Sequence, residues 1–226
     1  MPGMTHELWV VETEAGPATT AADFLAGRIR QVVTERGRFT MAVSGGKTPW
    51  AMFDHLASQD LPWESVEVFQ VDERIAPAGD PDRNLTHWEA RFGHLPVVTR
   101  AMPVEEDDVE AAAGRYAASL PDRFDVVHLG IGPDGHTASL VPGDPVLDVD
   151  DRSVAITGST YQGRHRMTLT YPALQRTEQL LWLIAGEDKR DALAGMLAGD
   201  PAYPASGVVA PRSLIVTDRA AHPQDA

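Results

Sequence analysis

Cysteine is absent from the 226-residue sequence, which excludes disulfide bonds, catalytic thiolates and cysteine-ligated zinc. Long hydrophobic runs are also missing, because no stretch approaches the roughly 20 apolar residues that a membrane helix requires. The first residues lack a basic start followed by an apolar stretch, so no secretory signal is visible. These absences predict a soluble, cytoplasmic protein that does not bind membranes.

Basic charge is scarce. The sequence has 19 Lys and Arg residues against 33 Asp and Glu residues, and its formal net charge is −14. Proteins that bind nucleic acids or anionic membranes by neutralising phosphates need the opposite balance, so neither partner is expected. A small anionic ligand remains possible, because a few local cations can outweigh the overall charge. Lys47 and Lys189 are the only lysines, and each is a place where a compact ammonium group could be used.

Apolar runs typical of strands alternate with stretches of helical periodicity. Strands are predicted at residues 8–11, 39–43, 66–71, 124–129, 153–157, 166–170, 179–185 and 214–216, and helices at 18–35, 48–57, 84–92, 109–120 and 188–197. This alternation predicts α/β layers around a mostly parallel sheet. No linker is long enough to divide the chain, so we expect one domain over residues 1–226, with a frayed tail over 218–226.

A glycine-rich segment follows the second predicted strand and runs into a helix. It consists of Ser44, Gly45, Gly46, Lys47 and Thr48. The glycines allow the backbone to approach a ligand, and the helix start adds the positive end of a dipole, so the segment could cradle a phosphate. An ordinary glycine-rich turn before a helix explains the local pattern equally well.

Charged residues follow several other predicted strands. Asp72 and Arg74 come directly after the third strand, Arg166 opens a later one, and Lys189 begins a helix after the buried strand at 179–185. Ligands bind outside the carboxyl ends of the strands in open α/β sheets, so these residues could share one crevice. The alternative for each is a solvated charge or a structural ion pair.

The loop after the fourth long strand carries the candidate proton-transfer group. Asp134 and His136 are two residues apart, close enough for the carboxylate to orient the imidazole, and histidine can act as base and then as acid. The alternative is a tight turn with a capping aspartate and an exposed histidine. The remaining histidines show no metal-binding spacing, so no metal site is predicted.

Taken together, these segments resemble the 6-phosphogluconolactonase family, within the wider group that includes glucosamine-6-phosphate deaminase. The motifs occur in the family's order, from about Val43 to about Pro211. They are Ser44–Pro49 (S-G-G-x-T-P), Asp72–Arg74 (D-E-R), Leu129–Ser139 (L-G-x-G-x-D-G-H-T-A-S), Arg166–Thr170 (R-x-T-L-T), Gly186–Lys189 (G-x-x-K) and Pro204–Ser206 (P-A-S).

The resemblance implies a Rossmann-like three-layer α/β/α sandwich and the hydrolysis of 6-phospho-D-glucono-1,5-lactone without a cofactor. His136 would be the base and Asp134 its orienting partner. The implied substrate-binding residues are Ser44, Gly45, Gly46, Lys47, Thr48, Asp72, Arg74, Arg166 and Lys189. The implied partner is a small phosphosugar lactone, and the protein would be a monomer or a small homo-oligomer in the oxidative pentose phosphate pathway.

Four positions depart from the family pattern, namely Arg83, Leu85, Val141 and Gly207, and they could alter the pocket wall. Three other interpretations stay open. An isomerase of the glucosamine-6-phosphate deaminase type would use Asp72 as a base, but the glutamate of its I-A-F-N-E-P pattern is missing after His136. A non-catalytic sugar-phosphate binding protein is the second, and Ser44 as a nucleophile is the third, although no G-x-S-x-G motif surrounds it.

Overall fold

Parallel strands with both faces buried form the centre of the molecule, in a computed structural model that describes residues 5–12 and 16–223. The strands β2 (Phe39–Val43), β6 (Val126–Leu129) and β9 (Leu180–Ile184) are buried at every position. Their near-continuous apolar sequences are typical of strands covered by helices on both faces. This burial explains why alternation of polar and apolar residues is absent from them.

The central sheet has seven strands, all parallel, in the order β1-β10-β9-β6-β2-β3-β5. The other four strands of this sheet are β1 (Glu7–Val11), β3 (Val66–Gln70), β5 (Val98–Arg100) and β10 (Ser213–Asp218). The chain leaves β2 towards β3 and leaves β6 towards β9, in opposite directions along the sheet. The neighbours β2 and β6 therefore form the switch point where open α/β sheets place their ligands.

Helices cover both faces of this sheet, and two apolar clusters fill the space between. The helices are α1 (Gly16–Arg36), α2 (Lys47–Ala57), α3 (Asn84–Phe92), α4 (Val109–Ser119), α5 (Tyr171–Leu174) and α6 (Arg190–Ala198). One cluster lies under α1, α2 and α3, and the other lies under α4 and α6. The predicted three-layer α/β/α arrangement is confirmed.

A second, smaller sheet has three antiparallel strands in the order β4-β8-β7. They are β4 (Asp72–Arg74), β7 (Val154–Ile156) and β8 (Arg166–Leu169). Its register pairs Asp72 with Thr168 and Arg74 with Arg166. Residues 92 to 96 positions apart thus become direct neighbours because β4 and β8 share a ladder, and the two arginines lie side by side.

Most predicted elements are present, with shifts at their ends. The strands β4 and β5, the short helix α5 and four short 3₁₀ helices (Trp63–Ser65, Pro145–Asp148, Glu187–Lys189 and Pro204–Gly207) are additional. The first turn of the predicted helix 188–197 is 3₁₀ in the structure. No helix among residues 5–12 and 16–223 is long and apolar enough to cross a membrane.

The predicted frayed tail over residues 218–226 is wrong for its first part. Asp218 is the last residue of β10 and is buried, and Ala221 is completely buried. The Asp218 carboxylate accepts hydrogen bonds from the backbone N–H groups of Gly186 (3.0 Å) and Ala221 (2.7 Å), which fix this end of the chain. Residues 224–226 lie outside the described residues.

Candidate active site

A cleft of about 480 Å³ opens at the carboxyl ends of β2, β6 and β9. Every predicted site residue except Asp134 lines it. Those residues are Ser44, Gly45, Gly46, Lys47, Thr48, Asp72, Arg74, His136, Arg166 and Lys189. The sheet topology explains this convergence, because parallel strands deliver the loops that follow them to one edge.

The loop after β2 forms one wall of the cleft and leads into α2. Gly46 has a φ of +134°, in the region that favours glycine, and it is the last residue before the helix. A Cβ atom at Gly45 would overlap the Asn84 side chain. Both glycines therefore bring bare backbone to the cleft at the start of an 11-residue helix, where unpaired N–H groups and the helix dipole favour an anion.

Beneath this loop lies a fully buried histidine. The Ser44 backbone N–H donates to His128 Nδ1 over 3.4 Å, and the ring edge of His128 meets Phe53 with centroids 5.5 Å apart. Burial lowers the pKa of His128 to about 3, so its imidazole is neutral at pH 7. The Ser44 N–H is thus directed into the protein rather than towards a ligand.

The loop after β6 forms the opposite wall and is tightly hydrogen-bonded to itself. The N–H of Gly132 donates to the carbonyl of His136 (2.8 Å), and the N–H of Gly135 donates to the carbonyl of Gly132 (2.9 Å). Gly135 has a φ of +82° and packs against Tyr203. A Cβ atom at Gly132 would overlap the His136 imidazole, so the glycine provides the space that this ring occupies.

His136 is held by Asp134 at the edge of the cleft. His136 Nδ1 lies 2.6 Å from Asp134 Oδ1, and the His136 side chain is 20% exposed. Partial burial raises the pKa of Asp134, but the hydrogen bonds and charge of His136 outweigh it, and the pKa is lower than usual. The ionised carboxylate accepts the Nδ1 proton, which leaves Nε2 as the nitrogen free to accept a proton.

Two arginines lie on the small sheet at the floor of the cleft. Arg166 is 4% exposed, its Nη1 lies 3.7 Å from Asp72 Oδ2, and its Nε has no hydrogen-bond partner. Burial lowers the pKa of Arg166, although the Asp72 charge opposes the shift, and a guanidinium stays protonated at neutral pH. Arg74 Nη1 donates to the side-chain oxygen of Asn84, and Asn84 Nδ2 donates to the Asp72 carbonyl (3.0 Å).

Lys189 reaches the cleft from the end of β9. Gly186, with a φ of +101°, turns the chain from the strand into the 3₁₀ turn that carries the lysine. Lys189 Nζ lies 3.0 Å from Asp188 Oδ2, and the lysine side chain is 22% exposed. This ion pair is accessible to solvent, so an anionic ligand could compete with Asp188 for the ammonium group.

The middle residue of the D-E-R segment has a different task from its neighbours. Glu73 is completely buried and accepts four hydrogen bonds of 2.8 Å. The donors are the Gln70 side-chain amide and the backbone N–H groups of Arg74, Asn84 and Leu85. Two of these belong to the first turn of α3, so Glu73 anchors the start of that helix behind the cleft.

The cleft is also lined by three uncharged polar side chains that the sequence interpretation does not include in the site, namely Asn84, Tyr161 and Gln162. Asn84 lies in the segment where the resemblance expects an asparagine, so its signal was present. Tyr161 and Gln162 belong to a loop without a motif. The four departures Arg83, Leu85, Val141 and Gly207 are not among the residues that line the cleft, so an effect on the pocket wall would have to act through the residues in front of them.

No group of three or more acidic or histidine side chains within residues 5–12 and 16–223 is arranged to hold a metal ion. The charged side chains of the cleft itself are four basic and two acidic ones, Lys47, Arg74, Arg166 and Lys189 with Asp72 and Asp188. The cleft is therefore locally cationic within a strongly acidic protein, and it is suited to a small anion with a proton-transfer group beside it.

Sequence comparisons identify relatives over nearly the whole chain. The family profile described as glucosamine-6-phosphate isomerases/6-phosphogluconolactonase matches residues 12–217. A 6-phosphogluconolactonase of Nostoc sp. is 36% identical over 89% of this chain and 90% of its own length. A 6-phosphogluconolactonase of Synechocystis sp. is 38% identical over 79% of this chain and 80% of its own length.

Solved structures show the same fold. The structure of a 6-phosphogluconolactonase from Thermotoga maritima has a TM-score of 0.87 and 25% identity, covering 95% of this chain and all of that one. A monomeric glucosamine-6-phosphate deaminase gives a TM-score of 0.83 at 20% identity, covering 95% of this chain and 98% of that one. At that identity the second likeness concerns the fold alone.

Proposed function

Because the chain belongs to the glucosamine-6-phosphate isomerase/6-phosphogluconolactonase family, we propose that it hydrolyses 6-phospho-D-glucono-1,5-lactone to 6-phospho-D-gluconate. The observation that carries this proposal is the pairing of His136 with Asp134 at the edge of a cationic cleft. A lactone is an activated ester, so its hydrolysis needs a positioned water, a base and an anchor for the phosphate. The cleft offers residues for each of these tasks.

The chemistry begins at Nε2 of His136. This nitrogen takes a proton from a water molecule while the water oxygen attacks C1 of the lactone, giving a tetrahedral oxyanion. The carbonyl then re-forms as the bond between C1 and the ring oxygen breaks, and the imidazolium returns the proton to that oxygen. Asp134 holds Nδ1 throughout and stabilises the imidazolium, as an orienting carboxylate does for a catalytic histidine.

The phosphate at C6 supplies the positioning energy. The start of α2 with its bare backbone at Gly45 and Gly46, together with Arg166 and Lys189, can surround a phosphate with donors and positive charge. Anchoring the far end of the substrate fixes C1 beside His136, which turns binding energy into orientation of the reacting atoms. Asp72 and Arg74 line the same cleft, where they can contact the sugar hydroxyls.

The rival roles have less support. Ser44 is 7% exposed, and the neighbouring His128 accepts from its backbone N–H rather than from its hydroxyl, so this histidine does not serve as the base that a serine nucleophile needs. Asp72, the base that an isomerase would need, is 4% exposed and accepts a hydrogen bond from the Ser139 hydroxyl over 2.6 Å. A carboxylate held in this way is suited to organising the floor of the cleft.

The test of the proposed function compares three substrates with the purified chain. Freshly prepared 6-phosphogluconolactone should be hydrolysed well above its spontaneous rate, and unphosphorylated gluconolactone should be a poor substrate because it lacks the anchor. Glucosamine 6-phosphate should release no ammonia. Equal rates on the two lactones would contradict the phosphate anchor, and deamination without lactone hydrolysis would replace this proposal by the isomerase one.

The cellular setting follows from this activity. The enzyme would act in the oxidative pentose phosphate pathway, in the cytoplasm, on a substrate made by oxidation of glucose 6-phosphate at C1. We propose that residues 1–226 act as one domain, because both apolar clusters pack against the faces of the same central sheet, and that the enzyme is a monomer or a small homo-oligomer.

A further inference from the structure

A two-residue hairpin overhangs the cleft between the proposed base and the buried arginine. Tyr161 and Arg164 form an antiparallel bridge, and the residues between them, Gln162 and Gly163, have φ values of +53° and +81°. Two consecutive positive φ values are typical of a type I′ turn. Glycine adopts this conformation readily, whereas glutamine rarely does. The backbone strain at Gln162 must therefore be offset by contacts that its side chain makes.

Tyr161 contacts both halves of the proposed machinery. Its ring centroid is 5.0 Å from that of His136, and its hydroxyl oxygen lies 3.4 Å from His136 Nδ1, where it can accept the Nδ1 proton alongside Asp134. On its other side, the guanidinium carbon of Arg166 lies 5.1 Å from the centre of the Tyr161 ring. The phenol thus separates the imidazole from the guanidinium and limits the movement of each.

Gln162 hydrogen-bonds to Arg166. Its Oε1 accepts a hydrogen bond of 3.0 Å from Arg166 Nη2, and the Tyr161 carbonyl lies 3.5 Å from the same nitrogen. These contacts leave Arg166 Nε without a hydrogen-bond partner among the described residues, while Nη1 lies near Asp72. The turn that Gln162 adopts is therefore what brings an amide oxygen to the guanidinium.

The hairpin is fixed from outside the cleft. Arg164 Nη2 lies 2.8 Å from Asp80 Oδ2, and Arg164 Nε lies 3.3 Å from Asp82 Oδ2. These pairs attach the far side of the hairpin to the loop before α3. A hairpin held at its base can position the two side chains at its tip.

We propose that Tyr161 and Gln162 are positioning residues that divide the task, with the Tyr161 hydroxyl orienting His136 and the Gln162 amide orienting Arg166. The inference rests on the proposed function, in which His136 is the base and Arg166 binds the phosphate. It predicts that losing the Tyr161 contact lowers kcat, because that contact acts at the reacting end of the substrate. Losing the Gln162 contact should raise KM, because that contact acts at the anchored end.

The experiment uses two variants that preserve the backbone. Tyr161→Phe keeps the ring over Arg166 and removes the hydroxyl, so kcat should fall about 3- to 10-fold with KM unchanged, as expected for one neutral hydrogen bond. Gln162→Gly retains the positive φ and removes the amide, so KM for the phosphorylated lactone should rise about 10-fold with kcat unchanged. Tyr171→Phe is the matched control, because the Tyr171 hydroxyl donates to the Pro204 carbonyl outside the cleft.

The ¹⁵N signals of the His136 ring provide a readout that does not depend on turnover, and they should shift in Tyr161→Phe but not in Gln162→Gly. Unchanged kinetics and unchanged ring signals in Tyr161→Phe would overturn the inference. The inference would also be overturned if both variants showed the same fall in kcat and the same rise in KM together with lowered melting temperatures. A purely structural role predicts that pattern. An inactive parent chain contradicts the proposed function alone, and the ring signals then decide the inference.

Discussion

Replacing Glu73 by glutamine should destabilise the protein strongly, although the two side chains have almost the same shape. Each carboxylate oxygen of Glu73 accepts two N–H groups, and the residue is completely buried. A glutamine has one oxygen, so its NH₂ group must face two N–H donors whichever way the amide is turned. Gln70 cannot turn to compensate, because its Oε1 accepts the backbone N–H of Met102 over 2.8 Å.

The magnitude follows from the unpaired groups. Two buried donors lose their acceptor and a new NH₂ group gains none, at about 1–3 kcal/mol for each buried unsatisfied group. The positive charge of Arg83, 3.8 Å from Glu73 Oε2, also loses its fully buried partner. We expect the free energy of unfolding to fall by about 3–5 kcal/mol, or roughly 10 °C in melting temperature for a chain of this length.

The assay is urea denaturation at pH 7 followed by circular dichroism, with Glu106→Gln as the matched control. The Glu106→Gln substitution is chemically the same change, made at an exposed ion pair with Arg115. It should alter the free energy of unfolding by less than about 1 kcal/mol. A Glu73→Gln variant within about 1 kcal/mol of the parent would refute the reasoning, because it would show that the four N–H groups do not depend on a carboxylate.

Three further predictions concern the cleft and the residues beneath it. Gly132→Ala should reduce kcat/KM by at least ~10²-fold with the circular dichroism spectrum unchanged, since its methyl group must displace the His136 ring; full activity would contradict the packing described. Lys189→Ala should raise KM for the phosphorylated lactone and leave activity on plain gluconolactone unchanged, and equal effects on both would remove the lysine from the phosphate site. The pKa of His128 is about 3 in the folded protein and 6.5 in the unfolded chain. Below pH 6.5 the unfolded chain therefore binds a proton that the folded protein does not, and the free energy of unfolding decreases as the pH is lowered. Between pH 7 and pH 5 the parent should lose ~2 kcal/mol more unfolding free energy than His128→Leu, and parallel pH dependences would show that His128 is not buried and neutral.

The layers of the fold could be predicted because local signals and tertiary structure agree there. The buried strands β2, β6 and β9 are unbroken apolar runs, and helices with apolar faces separate them. The sequence does not predict the strand β4, because its three residues, Asp72 to Arg74, are charged and resemble a loop. Its pairing with β8, far along the chain, supplies the ladder that makes it a strand, and no local pattern records that pairing.

The residues of the cleft could be predicted as a group because strand ends in a parallel sheet share an edge. Their individual tasks could not. The sequence places Glu73 between two cleft residues, and only its burial against the start of α3 shows that it points away from the ligand. The tail shows the same limit, since its polar composition suggests fraying whereas Asp218 is held by two backbone N–H groups.

Tyr161 and Gln162 carried no signal at all. They lie in a short hairpin whose position depends on the Arg164 ion pairs with Asp80 and Asp82, contacts between segments about 80 residues apart. Hairpins of this kind are placed by tertiary contacts rather than by propensity. A motif search therefore finds the base and the anion loop but not the side chains that support them.

The central claim is that His136 transfers the proton in a cleft that binds the phosphosugar independently. The most direct measurement compares the parent chain with His136→Asn, using lactone turnover corrected for spontaneous hydrolysis and calorimetric binding of 6-phosphogluconate. Asparagine keeps polarity and approximate size but cannot shuttle a proton, so turnover should fall ~10²- to 10⁴-fold while the dissociation constant changes little. A variant that hydrolyses the lactone at the parent rate would contradict the account.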